Sequence, residues 1–159
     1  MTEAERRLGY AFPPVFRRVY TEVADGGFGP SPCGFASVRH GNLLPGGHAW
    51  KTCEQFMEGH RAAGAPAGWH ELIPGGCSLN WFTSVTERDN PVILYDHERW
   101  DPEDGKQPED YIVRVVASLR EWLWTWAEGG SVHDLVPPHA MLIDEPADGD
   151  VTVTASWRM

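Results

Sequence analysis

Residues 78–95 form the stretch SLNWFTSVTERDNPVILY, whose pattern is typical of a β-hairpin. Residues 78–85 and 92–95 are rich in β-branched and aromatic side chains, which pack well on the pleated surface of a sheet. Between these two runs lies the turn-forming sequence Arg88-Asp89-Asn90-Pro91. The stretch therefore predicts two antiparallel strands joined by a short turn.

An acidic segment follows the hairpin, from residue 96 to residue 110. It carries seven carboxylates against two basic side chains, and Pro102, Gly105 and Pro108 interrupt any regular period. We expect an exposed loop, and loops on a rigid scaffold often hold binding residues. The segment is the predicted partner-binding surface, with Trp100 either an aromatic anchor or packed back onto the sheet. The predicted binding residues are Asp96, Glu98, Trp100, Asp101, Glu103, Asp104, Glu109 and Asp110.

Residues 111–117 fit either a strand or a helix. Apolar residues keep a helical period through them, whereas their three valines favour extended backbone. We favour a break at Ser118, because Ser118 and Glu121 have the spacing of a capping box, in which the two side chains satisfy N–H groups at a helix start. The helix then ends at the glycine pair 129–130. Its apolar stripe is predicted to pack against the hairpin around Trp81 and Ile93, through Trp122, Leu123 and Trp126.

The first 30 residues predict two helices. Thr2 and Glu5 also have capping-box spacing, and Gly9 suits the end of a short helix. The proline pair 13–14 suits a second helix start, and apolar residues at helical spacing continue that helix up to the glycine pair 26–27.

Shorter stretches of periodic or β-favouring sequence predict the remaining helices and strands. Periodicity favours a helix near residues 49–61, and residues 35–38, 140–143 and 151–155 are predicted strands. The glycine-rich residues 25–30 follow a helix, whereas a phosphate-binding loop precedes one, so we attribute these glycines to backbone geometry.

Length and composition favour one globular domain over residues 1–159. A hydrophobic fraction of 42% supplies a core without disulfides or metal. No stretch is long and apolar enough to span a bilayer, and the charged start is unlike a secretory signal. Three widely spaced cysteines argue against a disulfide framework. We therefore expect a soluble, cytoplasmic protein.

The formal charge of −10 restricts the class of partner. It repels the phosphates of nucleic acids and anionic membrane surfaces, so neither is an expected partner. The more specific interpretation of this charge is that the protein binds a basic protein partner. The alternative is that the charge serves solubility alone. The sequence leaves the oligomeric state open.

The sequence predicts no catalytic residue, metal site or cofactor. Its seven histidines show neither His-x-x-x-His spacing nor clustering with cysteine. In Asp96-His97-Glu98 the three side chains alternate in direction at a strand end, which disfavours convergence on one ion. Cys77 lacks an identifiable base, and no serine elbow, phosphate loop or dinucleotide fingerprint occurs.

Three ordered segments resemble the SUKH superfamily, which includes fungal Smi/Knr-type regulators and many bacterial toxin-immunity proteins. The first is residues 5–30, with Leu8-Gly9, Phe12-Pro13-Pro14 and Gly26-Gly27-Phe28-Gly29-Pro30. The second is Leu72-Ile73-Pro74-Gly75-Gly76 with the following strand, turn and residues 91–98. The third is Ser118-Leu119-Arg120-Glu121-Trp122-Leu123, similar to the family's Ser-Phe-x-Glu-Phe-Leu helix opening. Asp25 stands where the family commonly has Asn, and the tail beyond Gly130 matches no motif.

The resemblance implies an α+β fold with a mixed or antiparallel sheet flanked by helices. It also implies a protein that binds and neutralises a cognate toxin, and it supplies no catalytic set. Toxin domains are often basic nucleases, which an acidic inhibitor would attract. Two alternatives stay open: a Smi/Knr-like regulator or scaffold that binds a cellular protein, and a hydrolase using His97 with nearby carboxylates.

Overall fold

The structure, a computed structural model, describes residues 2–30, 34–38, 53–62, 65, 67–76, 79–96, 105 and 112–138. It has an α+β fold in which helices flank an antiparallel sheet, as predicted. The helices are α1 (Thr2–Leu8), α2 (Pro14–Arg18), α3 (Cys53–Ala62) and α4 (Leu119–Ala127). A π-helical turn (Val19–Val23) continues α2, and a 3-10 helix (Val132–Leu135) follows α4. The strands are β1 (Trp69–Gly76), β2 (Leu79–Ser84), β3 (Val92–Asp96) and β4 (Ile112–Val116).

The sheet has the order β1-β2-β3-β4, and every neighbouring pair is antiparallel. The predicted hairpin is confirmed, since β2 and β3 pair with Trp81 opposite Leu94. At its turn, Asp89 and Asn90 adopt φ values of 64° and 54°, a left-handed conformation that Asp and Asn tolerate better than most residues. The turn therefore forms where its residue types predicted it.

Strand β1 was not predicted. Pro74 and two glycines interrupt its sequence, and the pairing with β2 shifts register between Glu71 and Ile73. Such a shift lets two residues of one strand oppose a single residue of its partner, so the two-residue alternation is lost. Pairing to β2, rather than local propensity, makes this segment a strand.

Helices cover both faces of the sheet. On one face, Trp122 of α4 packs on Trp81 with ring centroids 5.6 Å apart, and Phe16 of α2 lies 5.2 Å from the His70 ring. On the other face, the His60 ring of α3 lies 5.0 Å from Phe82. Trp81, Trp122, Phe16, Phe82 and His70 are all fully buried. The core is thus largely aromatic, and its rings meet mostly edge to face.

Both N-terminal helices are confirmed, and Glu5 contacts residues beyond α1. Its buried carboxylate accepts a hydrogen bond from the Phe12 N–H at 2.9 Å and from the Arg17 guanidinium at 2.6 Å. It therefore ties α1 to the start of α2 across a loop. The sequence spacing that suggested a capping box gave no sign of these two distant partners.

Residues 35–38 are not a strand, so that prediction is wrong. Phe35 is fully buried and exchanges backbone hydrogen bonds with Gly27 and Phe28 instead of a neighbouring strand. The Asp25 carboxylate accepts from the Val38 N–H at 3.0 Å. A Cβ on Gly26 would lie 2.6 Å from the Ser37 nitrogen, so this glycine permits a close approach of two loops.

The break at Ser118 is confirmed. Its hydroxyl accepts a hydrogen bond from the Arg120 N–H at 3.1 Å, and the helix begins one residue after it. The predicted helix near residues 49–61 is confirmed from Cys53 onward. Its first residues and the predicted strands 140–143 and 151–155 lie outside the described residues. In the part of the chain that the structure describes, no helix combines the length and apolar character needed to cross a bilayer.

Candidate functional site

The predicted binding segment is anchored by two paired strands. β3 ends at Asp96, β4 begins at Ile112, and Tyr95 pairs with Ile112. The chain therefore leaves and re-enters the sheet at the same end of neighbouring strands. Within the segment the structure describes only the half-buried Asp96 and an exposed turn at Gly105. The other predicted binding residues lie outside the described residues: Glu98, Trp100, Asp101, Glu103, Asp104, Glu109 and Asp110.

Several exposed carboxylates on other parts of the molecule are paired with arginine. Hydrogen bonds from the guanidinium groups of Arg6 and Arg7 lower the pKa of Glu3 to about 2. The same type of contact lowers the pKa of two further carboxyls, in the pairs Glu22–Arg18 and Glu87–Arg114. Each of these pairs largely cancels its own charge, so these surfaces offer little net attraction to a basic partner.

The outer face of α4 differs, because its carboxylates have no partner in the part of the chain that the structure describes. Neither Glu121 nor Glu128 makes a side-chain hydrogen bond or ion pair with any residue that the structure describes. Between them in sequence stands Trp124, which is 64% exposed. We define the α4 outer face as the five exposed residues of this helix and its C-cap: Arg120, Glu121, Trp124, Ala127 and Glu128. It combines a large aromatic surface with free negative charge.

Sequence reasoning overlooked Trp124, although a signal for it was present. At about 100° per residue, Trp124 lies about 200° around the helix from Trp122. A helix that buries Trp122 and Leu123 must therefore point Trp124 away from the core. Trp122 and Leu123 are buried as predicted, and Trp126 is half-buried with its ring 6.2 Å from Phe28.

A polar cluster lies under α3 on the opposite side of the sheet. Asn80 Nδ2 donates to Glu71 Oε1 at 2.5 Å, and His60 Nε2 lies 3.0 Å from Glu71 Oε2. The imidazole is out of line for a directed hydrogen bond to this carboxylate. Among the described residues, no hydroxyl or thiol hydrogen-bonds to either His60 or Glu71. The cluster joins α3 to the sheet and holds no activated nucleophile in the described chain.

His70 is the second buried histidine. Its Nδ1 lies 2.6 Å from the Tyr10 hydroxyl, and Phe12 and Phe16 surround the ring. Burial lowers the pKa of His70 to about 3, and the positive charge of Arg61 acts in the same direction. The imidazole is therefore neutral at neutral pH and serves as a core residue.

No protein-family model, curated protein or solved structure matches this chain. The resemblance to the SUKH superfamily therefore stays a prediction.

In the described residues, no group of three or more His, Cys, Asp or Glu side chains is placed to hold a metal ion. His97 and Cys77, the two residues weighed for chemistry in the sequence, lie outside those residues. Of the surfaces that the structure describes, the α4 outer face is the candidate functional site.

Proposed function

We propose that this protein is a bacterial immunity protein that binds and neutralises a cognate toxin domain, of the basic nuclease type. The observation that carries the proposal is the exposed Trp124 flanked by Glu121 and Glu128, neither of which has a side-chain partner among the described residues. Trp is enriched among the residues that dominate binding energy in protein interfaces. Free carboxylates beside it, in a chain of formal charge −10, suit a basic partner.

The order of the elements supports this proposal. The three segments that resemble the SUKH superfamily contain the end of α1 with α2, the end of β1 with β2 and β3, and the start of α4. Many bacterial members of that superfamily neutralise toxins. The resemblance thus suggests the kind of partner that the surface chemistry favours.

Neutralisation would proceed by binding alone. An inhibitor that covers a toxin's active surface needs shape and charge complementarity and no reacting group. A cytoplasmic site of action is part of the proposal. It is supported by three cysteines without disulfide-type spacing, which suit a reducing compartment.

The proposal is tested with the toxin domain encoded beside this gene. We expect co-expression of this protein to restore growth of cells that produce the toxin domain. We also expect the two purified proteins to form a complex with a Kd in the nanomolar range or below. A neighbouring gene that encodes no toxin, or a toxin whose effect persists at full expression of this protein, would argue for the regulatory alternative.

The acidic segment 96–110 is tested in the same complex. Replacing Asp101, Glu103 and Asp104 with their amides should slow association and flatten its dependence on salt, because exposed charges chiefly steer the encounter. Association and dissociation rates at low and high salt are measured by surface plasmon resonance. An unchanged association rate would exclude this segment from the interface.

A further inference from the structure

We infer that the α4 outer face is a docking surface for an arginine- or lysine-rich segment of the protein partner. In this arrangement a cationic side chain stacks on the Trp124 ring and contacts the carboxylates of Glu121 and Glu128. Only the identity of the partner rests on the proposed function. The surface and its chemistry follow from the helix.

Helix geometry places the two carboxylates on the same side of Trp124. Glu121 precedes it by three residues and Glu128 follows it by four, so both are its neighbours on the helix surface. At about 100° per residue, both lie about 40–60° to one side of the Trp124 direction. Arg120 and Ala127 lie at similar angles on the other side. The aromatic ring therefore has one acidic flank.

An aromatic face beside carboxylates suits a guanidinium or an ammonium group. The π-face of Trp attracts cations more strongly than that of Tyr or Phe. Arg in particular combines stacking on the ring with hydrogen bonds to carboxylates. Because Glu121 and Glu128 have no partner among the described residues, neither must break an existing ion pair to receive a cation.

Charge argues against two other occupants of this face. Residues 139–159 of this chain carry four carboxylates and one arginine, so they repel the acidic flank. A second copy packed through an antiparallel α4 pair would place Glu121 of one helix near Glu128 of the other, since a two-fold interface repeats each contact. A basic partner avoids both repulsions.

The first experiment measures binding of full-length variants to the toxin domain encoded beside this gene. We expect Trp124→Ala to raise the Kd about 30-fold or more, the loss expected for an interface hot spot. The matched control is Val23→Ala, because Val23 is 70% exposed and adjoins Glu22, which is already paired with Arg18. This control should change the Kd less than about threefold, within the effect of a surface substitution away from the interface.

The second experiment separates charge from packing. The double variant Glu121→Gln with Glu128→Gln should lower the association rate about three- to tenfold at low salt, with the difference shrinking at high salt. Glu58→Gln is its control, since Glu58 is an exposed carboxylate on α3 with no side-chain partner among the described residues. Equal effects per carboxylate removed would show that only net charge matters, and would overturn the inference.

A third experiment needs no toxin and therefore separates failure of this inference from failure of the proposed function. An octapeptide of alternating arginine and glycine is titrated into the protein while the indole N–H signals are followed by NMR. The Trp124 signal is assigned by its loss in Trp124→Phe. We expect this signal to shift, and to shift much less in the double glutamine variant.

Two NMR results would overturn the inference. One is an arginine peptide that shifts other indole signals and leaves that of Trp124 in place. The other is a Trp124 signal that a soluble paramagnetic agent fails to broaden in the free protein, since the ring would then be covered by the chain itself or by a second copy. A toxin complex that forms with unchanged Kd in Trp124→Ala would also overturn it, while leaving the proposed function standing.

Discussion

The inner and outer faces of α4 place the same residue type in opposite environments. Trp122 is fully buried against Trp81, whereas Trp124, two residues later, is 64% exposed. The inner face is completed by the buried Leu119 and Leu123. Because both tryptophans share one helix and one local sequence, their difference comes from helical phase and from what packs against each side. Aromatic content alone therefore does not distinguish a core from a binding surface.

The buried and exposed sides of α4 also differ in the charged groups that they contain. The sheet face that α2 and α4 both cover holds the buried His70, whose imidazole stays neutral because burial disfavours its charged form. The outer face displays the free carboxylates of Glu121 and Glu128. Stability should therefore depend on the inner face and binding on the outer one, and substitutions on each side test this division.

The largest expected effect belongs to Trp122. Trp122→Ala should lower the free energy of unfolding by about 3–5 kcal/mol, because it leaves a cavity against Trp81. Trp122→Phe should cost less, since it keeps most of the ring and removes an indole N–H that is buried without a partner in the described structure. Chemical denaturation measures both. A loss under about 0.5 kcal/mol for the alanine variant would contradict the packing of α4 on the sheet.

The neutral state of His70 predicts how stability depends on pH. The pKa of its imidazole is 6.5 in the unfolded chain and about 3 in the fold, so between these values the unfolded chain binds the extra proton. Stability should be fully present above pH 6.5 and should fall as the pH drops towards 3, by roughly 4 kcal/mol from this residue. Denaturation at pH 7, 6, 5 and 4 measures the slope.

The control for this slope is His70→Gln, which keeps a polar group near Tyr10 and does not titrate. It should be less stable at pH 7 and show a weaker loss of stability between pH 6.5 and 4.5. Equal slopes in the wild type and the variant would mean that the imidazole is protonated in the folded protein, against its burial among Phe12 and Phe16.

The smallest expected effect belongs to the outer face. Trp124→Ala, alone or with Glu121→Gln and Glu128→Gln, should change the free energy of unfolding by less than about 0.5 kcal/mol, as surface substitutions usually do. The same variants are expected to weaken partner binding. Thermal denaturation beside the binding measurement checks the division. A large loss of stability would show that the outer face is structural.

Several elements were predictable because their signals are local. The hairpin turn forms at Asp89 and Asn90, whose side chains tolerate positive φ, and α4 begins after Ser118, whose hydroxyl satisfies a free N–H. Strand β1 has no such local signal, because Pro74 and the adjacent glycines have low strand propensity. The segment forms a strand because β2 provides its hydrogen-bond partners. Residues 35–38 gave a false signal. Phe35 is buried within a loop and not in a sheet, and no strand lies beside it among the described residues.

The position of the candidate site was not predicted from the sequence. The sequence indicated an acidic protein and an exposed acidic segment after β3, of which the structure describes Asp96 and Gly105. It did not single out Trp124, because the prediction for α4 dealt only with its core stripe of Trp122, Leu123 and Trp126. Whether Glu121 and Glu128 are paired was also beyond the sequence, since that depends on which arginines come close in space.

The amino-acid sequence alone determined the α+β class, the hairpin, the starts of α1, α2 and α4 and the negative charge, because each follows from residue types and spacing over a few positions. Only the tertiary structure decided that β1 is a strand, that Glu5 joins α1 to Phe12 and Arg17, and that one tryptophan of α4 is buried while another faces solvent. These features depend on contacts between segments distant in the chain, and local propensity carries no information about which segments meet.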